Sequence, residues 1–309
     1  MGAAVVDPAL GLHLAPRRSL PNRHGASVSI IVPALNEEAT IAEVVAAARR
    51  SLEILHADGE VIVSASGCTD ATAAVAAEAG ATVVLAPKGK GLAISAGVSA
   101  SRGEIICLLD GDLQYLGASP LPVGLVAPIL AGTVDATIAD LYFRPVYPQL
   151  WFYGFFAPLA GLAFPEILPK VGTSPWSGQR AAVRELWPGA LRPDFTVDLE
   201  LILYWNDSGA RLRPVISDDW IGPQRPKPDL IYDEFSLLAC HAVQRGRVLS
   251  SQLPSLKRWF EAAHDMMARY MPGVHDVVPF EERLLAESLT ALHECLPVAE
   301  DAILRTSRQ

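Results

Sequence analysis

The sequence is poor in cysteine and contains no paired cysteine motif. Its four cysteines, Cys68, Cys107, Cys240 and Cys295, are scattered along the chain without CxxC spacing. This pattern argues against a disulfide framework and predicts reduced thiols in a cytoplasmic protein. The seven histidines show no HExxH or other paired-ligand spacing, so they do not indicate a metal site.

Positive charge is also scarce. The formal net charge is −9, and the chain has no run of lysines and arginines of the kind that binds nucleic acid. Because nucleic-acid binding at large surfaces depends on positive potential, we expect no nucleic-acid partner.

Long apolar runs are absent too. The one stretch that suggests a membrane helix, Leu150–Phe164, has about 15 residues and contains Pro158, whereas a spanning helix needs roughly 20. We favour the interpretation of residues 150–164 as a buried or acceptor-side helix. The alternative is an exposed aromatic patch that makes peripheral membrane contact or docks a lipid or a partner. Met1–Ala26 lacks the apolar core of a signal peptide, so we expect a flexible leader there.

What the sequence does contain is a regular alternation of apolar strands and helices. The predicted strands are Ser27–Pro33, Glu60–Ser64, Ala81–Leu85 and Glu104–Leu109, and the predicted helices are Asn36–Ser51, Asp70–Ala79 and Gly91–Ala100. Such alternation is typical of a mostly parallel α/β sheet covered on both faces, which binds ligands at the carboxyl ends of its strands. Three segments are therefore expected to meet at one edge of the sheet: Pro33–Glu37, Ser64–Asp70 and Asp110–Asp112.

The last of these segments carries two carboxylates. Asp110 and Asp112 follow the apolar run Glu104–Leu109, and alternate side chains at a strand end point the same way. Gly111 between them lets the backbone approach a ligand. Hard oxygen donors of this kind suit Mg²⁺ or Mn²⁺ held together with a diphosphate, although an ordinary Asp-Gly turn has the same sequence.

Three other short motifs lie upstream. PALNEE, from Pro33 to Glu38, closes the first strand and opens a helix; the loop around Ser66 is built of small residues; and Lys90 lies among glycines at a helix start, where phosphate binds well. Each motif alone also fits an ordinary capped turn. The lysine lacks the spacing of a Walker loop, which disfavours an ATPase.

Together, these four pieces resemble the nucleotide-sugar glycosyltransferases with the GT-A fold. The family order PxxNE, (D)xGSxD, GKGxAL and DxD appears here as PALNEE, ASGCTDAT, GKGLAISAG and LLDGDL over roughly residues 27–115. PALNEE, the Ser66 loop, TIADLYFRP and SGQRAAVREL look most like the glucosyl-phosphoglycerate and mannosylglycerate synthases. The DLEL stretch beginning at Asp198, with Gly209 and Pro214 after it, also resembles the polyprenyl-phosphate sugar synthases.

The resemblance implies a domain plan. Residues 27–230 would form the GT-A catalytic domain, with a nucleotide-binding half at 27–115 and an acceptor half at 116–230. The helical pattern of the sequence from Phe235 onward separately predicts a helical C-terminal extension, residues 231–309, packed on the core or on a second subunit as a homodimer.

The resemblance also implies roles for single residues. Donor-binding positions would be Pro33, Ala34, Leu35, Glu37, Ser66, Lys90, Asp110 and Gly111. Asp112 would ligate Mg²⁺ or Mn²⁺, Asp110 would face the ribose or a metal-bound water, and Gln224 stands where relatives have a third ligand, a histidine. The metal would neutralise charge on the leaving diphosphate.

The chain departs from the family at several positions. Ala65 stands where many relatives carry an acid, and the Gly-rich acceptor loop of the phosphoglycerate-type enzymes has no counterpart, since Leu150–Phe164 occupies that region. We therefore expect a different, more apolar acceptor. Gln179 and Arg180 are candidates for contact with the sugar or diphosphate, with a surface loop as the equal alternative.

Asp198 and Glu200 are the candidate catalytic carboxylates. An inverting enzyme needs one carboxylate as general base, for which Asp198 is the first choice and Glu200 the second, whereas a retaining enzyme would use the carboxylate to orient the acceptor. The two residues are two positions apart on a predicted helix, so their side chains point to different sides. We therefore expect only one of them to take a catalytic role. Structural capping or pairing is the alternative for each.

The sequence therefore predicts a metal-dependent glycosyltransferase. It would move a sugar from a UDP- or GDP-linked donor to a small-molecule or lipid-like acceptor. A sugar nucleotidyltransferase is one alternative, disfavoured because those enzymes open with a Gly-rich basic loop. A non-catalytic nucleotide-sugar-binding protein is the other alternative. It remains open because Ala65 and Gln224 stand where relatives carry an acid and a histidine ligand.

Overall fold

The computed structural model describes residues 23–115, 120–140, 150–216 and 229–296, and the backbone of three short strand pieces at 6–7, 12–13 and 220–221. Gln224 lies outside the described residues. The strands are β1 Val6–Asp7, β2 Leu12–His13, β3 Val28–Ala34, β4 Gly59–Ser66, β5 Thr82–Ala86, β6 Ile105–Leu108, β7 Gln114–Tyr115, β8 Ala136–Asp140, β9 Arg180–Val183, β10 Leu212–Ile216 and β11 Trp220–Ile221. The α-helices are α1 Ile41–Ile54, α2 Thr72–Glu78, α3 Lys90–Ala100, α4 Leu121–Leu130, α5 Ala157–Ala163, α6 Leu168–Val171, α7 Val197–Asp207, α8 Leu230–Gln244, α9 Leu253–Met267 and α10 Val277–Cys295.

Seven strands form the central sheet, in the order β10-β8-β9-β6-β3-β4-β5. β3 pairs in parallel with β4 and β6, β4 with β5, and β8 with β10. β9 runs antiparallel between β6 and β8. This mostly parallel sheet with helices around it confirms the predicted α/β fold class.

Alternation along the strands builds one core on each face of the sheet. In β3, Ile30 and Val32 pack on one face with Ile41 of α1 and Leu125 of α4. Ile31 packs on the other face with the C-terminal helices and the apolar segment that begins at residue 150. The helical C-terminal part predicted from residue 231 therefore shares a core with the sheet.

β9 was not predicted. Its sequence, RAAV, contains two alanines, which have low strand propensity, and an arginine, which is rarely buried. All four residues are nevertheless buried, and Arg180 is 0% exposed. The interpretation of Gln179 and Arg180 as a surface loop is thus wrong. Both side chains are buried, and each has a polar partner on another segment: Asp110 for Gln179 and Asp198 for Arg180.

The apolar segment Leu150–Phe164, which the sequence predicts to be a buried helix, is helical and largely buried in the structure. A π-helical turn at Phe152–Phe156 continues into α5, and Phe155, Phe156 and Leu159 are fully buried. Among the described residues, no single helix has the length and apolar composition to cross a membrane. The helix pair Phe152–Ala163 and Pro165–Val171 meets those criteria only as a pair bent by 117°.

Replacing Phe155 by alanine tests whether this segment is part of the core. The ring packs edge-on against Phe260 of α9, with centroids 5.4 Å apart. We expect Phe155→Ala to lower the free energy of unfolding in urea by about 3–5 kcal/mol, because it leaves a buried cavity. Leu249→Ala, at a side chain that is 66% exposed, is the control and should change it by less than about 0.5 kcal/mol. Equal effects of the two changes would contradict this assignment.

Candidate functional site

The three loops that follow β3, β4 and β6 meet at one edge of the sheet, as the strand order requires. The Thr40 hydroxyl donates to the carbonyl oxygen of Gly111 at 2.7 Å. A methyl group on Gly111 would lie 3.2 Å from Cβ of Ala34 and 3.4 Å from Cγ of Glu37. The PALNEE loop and the Asp110–Asp112 turn are therefore in contact.

Asn36 joins the first loop to the second. It has a φ of 57°, in the left-handed region that asparagine tolerates better than most residues. Its side-chain oxygen accepts from the Thr69 backbone N–H at 2.8 Å, and the Glu37 backbone N–H donates to the Thr72 hydroxyl at 2.8 Å. The polar residues of PALNEE thus fix the loop, and the Glu37 side chain lies beside Gly111.

Ser66 fixes the segment that leads into α3. Its hydroxyl donates to the Pro87 carbonyl at 2.7 Å and accepts from the Gly89 N–H at 3.0 Å, and the residue is 3% exposed. Ser66 therefore places the first residue of α3, Lys90. Its predicted position near the base stays a prediction.

Lys90 lies between two carboxylates from different parts of the chain. Its Nζ is 2.7 Å from Oδ2 of Asp198 and 3.3 Å from Oδ1 of Asp110, and its side chain is 11% exposed. Arg180 pairs with Asp198 from the other side, with 3.3 Å between Nη2 and Oδ1, and also donates to the Asp198 carbonyl at 2.7 Å. We call Asp110, Lys90, Asp198 and Arg180 the charge chain.

The charge chain keeps its two cations protonated. Burial alone would lower the pKa of Lys90, but the charges of Asp110 and Asp198 raise it above its ordinary value. Burial lowers the pKa of Arg180, and Asp198 and Asp110 oppose that shift. Two cations therefore balance two carboxylates in a site largely shielded from water.

The loop before β9 closes on Asp110. Gln179 donates from Nε2 to Asp110 Oδ2 at 2.6 Å, and the Ser177 hydroxyl donates to Gln179 Oε1 at 3.0 Å. A methyl group on Gly178 would lie 2.5 Å from both carboxylate oxygens of Asp110. The SGQR motif signals this contact in the sequence only weakly, since neither its spacing nor its periodicity predicts where it packs.

The two carboxylates of the turn are oxygen donors of the kind that Mg²⁺ and Mn²⁺ prefer. The Asp110 side chain is 30% exposed, and Asp112, two residues further on, is half-buried. Within the described ranges, no three His, Cys, Asp or Glu side chains form a complete metal cage. Mg²⁺ and Mn²⁺ do not need one, because one or two carboxylates with diphosphate and water oxygens complete their coordination.

Asp198 and Glu200 diverge on α7 as expected. Asp198 is 4% exposed and points into the charge chain. Glu200 turns away and accepts from the Arg192 backbone N–H at 2.8 Å, which holds the loop that packs on the start of α3. The structural alternative therefore has direct support at Glu200.

Comparison with known proteins agrees with this geometry. Residues 29–152 match the family described as Glycosyl transferase family 2. The match covers the sequence from β3 to the start of the apolar segment at residue 150, which is less than half of the chain. The match confirms the resemblance to GT-A nucleotide-sugar glycosyltransferases that the four motifs predicted.

Curated relatives come from mycobacteria. A glucosyl-3-phosphoglycerate synthase of Mycobacterium tuberculosis is 32% identical over 200 residues, which is 58% of this chain and 60% of the relative. An uncharacterized glycosyltransferase of Mycobacterium bovis is 35% identical over 150 residues, 48% of this chain and 57% of the relative. The matched segment thus spans about 60% of the length of the first of these relatives.

Solved structures of the same synthase superpose on the chain. The Mycobacterium tuberculosis enzyme in complex with Mn²⁺, UDP-glucose and phosphoglyceric acid gives a TM-score of 0.61 at 26% identity, covering 74% of this chain and 86% of that one. Its complex with Mg²⁺ and UDP gives 0.57 at 27% identity, covering 71% and 80%.

Removing the cation at the centre of the charge chain tests its role. We expect Lys90→Met to lower the free energy of unfolding by about 3–5 kcal/mol, because it leaves buried Asp198 short of a partner. The control is Lys257→Met, at a lysine that is 70% exposed and pairs with Glu261 at 3.8 Å; this change should cost less than about 1 kcal/mol. Urea titration of both variants measures the difference. Similar losses would show that Lys90 is not held as a buried pair.

Proposed function

We propose that the chain is a divalent-metal-dependent glycosyltransferase that moves a sugar from a nucleoside diphosphate sugar to a small-molecule or lipid-like acceptor. The observation that carries this proposal is the contact of Asp110, Gly111 and the PALNEE loop at one sheet edge, within the region that matches Glycosyl transferase family 2. Solved neighbours hold Mn²⁺ or Mg²⁺ with UDP, so UDP is the first nucleotide to test and GDP the second.

The donor site uses the three loops. Pro33, Ala34, Leu35 and Glu37 would line the nucleoside, together with Ser66 and Gly111. Asp112 would ligate Mg²⁺ or Mn²⁺, with Asp110 beside it, and Gln224 stays a proposed third ligand. The metal, when bound, supplies positive charge against the leaving diphosphate. Lys90 lies next to Asp110, and its pKa is raised above the ordinary value. It therefore adds a fixed positive charge near the proposed diphosphate position.

Asp198 is better suited to orienting a substrate than to taking its proton. One of its oxygens lies against Lys90 and the other against Arg180. A general base needs a lone pair directed at the reacting hydroxyl. The paired state of Asp198 therefore supports the interpretation in which the carboxylate positions the acceptor or sugar, and the hydrogen bond of Glu200 to the Arg192 backbone gives it a structural role.

The acceptor is proposed by class only. Phosphoglyceric acid is bound in solved neighbours, which makes it the first acceptor to test. The apolar and largely buried segment Leu150–Phe164 supports acceptor contacts that differ from those of the solved neighbours. A polyprenyl phosphate is the second test compound.

We propose three further properties of the protein. A cytoplasmic location rests on the cysteine pattern, and the four cysteines are free thiols in the structure. A homodimer through the C-terminal helices is supported by apolar side chains exposed near the start of α10: Met271, Val274 and Val278. Peripheral membrane contact through residues 150–164 has little support, because Phe155 and Phe156 are fully buried.

The donor hypothesis is tested first by ligand-induced stabilisation. A screen of nucleoside diphosphates and their sugars, with and without Mn²⁺, should raise the melting temperature only for the correct nucleotide with metal. Asp112→Ala should abolish that metal-dependent rise and reduce transfer to background, because the diphosphate loses its metal anchor. A fully active Asp112→Ala enzyme would contradict the proposal. Pyrophosphate release from a nucleoside triphosphate and a sugar phosphate would instead favour a nucleotidyltransferase.

Gly178 offers a sharper test of the site geometry. A methyl group there overlaps the Asp110 carboxylate, so we expect Gly178→Ala to weaken metal-dependent nucleotide binding at least tenfold. Gly161→Ala is the matched control, because its added methyl meets only Leu168 Cδ1 at 3.7 Å, an ordinary contact. Calorimetry on both variants gives the affinities. Equal affinities for the two alanine variants would show that the Asp110 position does not matter for the donor.

A further inference from the structure

β8 ends in a buried carboxylate that the proposed donor site does not include. Asp140, the last residue of β8, is 7% exposed. Because β9 is antiparallel to both β6 and β8, those two strands run in the same direction, and their carboxyl ends lie at the same sheet edge. Asp140 is therefore at the edge that carries Asp110. Burying a carboxylate is costly unless hydrogen bonds replace the lost water, so the partners of Asp140 indicate what it does.

These partners lie at the start of the segment that leads into β9, residues 172–179, which we call the pre-β9 loop. The Thr173 hydroxyl donates to Asp140 Oδ1 at 2.9 Å, and the Thr173 backbone N–H donates to both carboxylate oxygens at 3.3 Å. Gly172 makes this approach possible. Its φ of 61° is in the left-handed region, and a methyl group on it would lie 2.1 Å from Asp140 Oδ2. Hydrogen bonds to a carboxylate are roughly twice as strong as neutral ones, so Asp140 anchors the start of the loop.

The end of the pre-β9 loop is held by the same strand and reaches Asp110. The backbone N–H of Ala139, the residue before Asp140, donates to the Gln179 carbonyl at 2.9 Å. The Gln179 side chain donates from Nε2 to Asp110 Oδ2 at 2.6 Å, and the Ser177 hydroxyl donates to Gln179 Oε1 at 3.0 Å. The last two residues of β8 therefore hold both ends of a loop whose final side chain contacts Asp110.

We infer that Asp140 is a positioning residue for the donor site. It holds the start of the pre-β9 loop against β8, and the loop places Gln179 on the Asp110 carboxylate. Without this anchor the loop keeps its β9 end but loses its start, and the hydrogen bond to Asp110 loses its fixed geometry. The inference rests on the proposed function, because Asp110 matters only if this sheet edge binds the donor.

The test compares Asp140→Ala with Asp135→Ala. Asp135 precedes the other end of the same strand, at the opposite edge of the sheet, and pairs with Arg23 at 3.2 Å and with Arg211 at 3.0 Å. Both changes remove a carboxylate with polar partners, so both should lower the melting temperature. Calorimetry with UDP and Mn²⁺, and with GDP and Mn²⁺ in parallel, is run well below the melting temperature of each protein. Asp140→Ala should weaken nucleotide binding about tenfold, roughly the value of one hydrogen bond to a charged group, whereas Asp135→Ala should bind like the wild type.

A milder pair of variants removes or keeps only the hydroxyl of the anchor. Thr173→Val retains nearly the shape of threonine but cannot donate to Asp140, whereas Thr173→Ser can. Because the backbone N–H of residue 173 still donates in both, Thr173→Val should weaken nucleotide binding by about threefold, and Thr173→Ser should restore most of that loss. This pair decides the question even if Asp140→Ala does not fold.

The outcomes separate the anchor from the donor site itself. If the wild type binds a nucleotide with Mn²⁺ and Asp140→Ala binds it as tightly as Asp135→Ala does, the inference is overturned alone. The same holds if Thr173→Val and Thr173→Ser bind equally well. A wild-type protein that binds neither UDP nor GDP with Mn²⁺ overturns the proposed function, and the inference with it.

Discussion

A lysine held between two carboxylates connects elements that lie far apart in the sequence. Lys90 begins α3, Asp110 follows β6, and Asp198 lies on α7. A largely buried ammonium group is stable only where such partners are in place, since its desolvation costs several kcal/mol. The strands, the loops and α7 must therefore hold their positions together, and a change at one of these elements is felt at the others.

Close approaches of the backbone make this arrangement possible. Gly91, the second residue of α3, leaves no room for a side chain against the carbonyl oxygen of Arg192, and Gly178 leaves none against Asp110. The Ser66 hydroxyl and the Glu200 carboxylate then fix the segments on either side. Two glycines, a serine and a glutamate thus set the distances within the charge chain.

The sheet edge at the ends of β3, β4 and β6 could be predicted from the sequence because its information is local. β3, β4 and β6 are short apolar runs, and the residues that matter follow directly after each run, so a parallel sheet brings them together. β9 could not be predicted in this way. Whether Arg180 is buried depends on Asp198, which is on another element, and no pattern within RAAV carries that information. The same holds for Gln179 and its hydrogen bond to Asp110.

The surroundings of Asp198 are built from single residues on distant elements, whereas the loops beside Gly111 follow local motifs. The two charged partners of Asp198 come from α3 and β9, and each of these elements contributes one residue. No local pattern around Asp198 therefore indicates which side chains it meets, and in the function that we propose this carboxylate positions the acceptor or the sugar. That difference accounts for motifs that identify the proposed reaction class but leave the acceptor to be found by experiment.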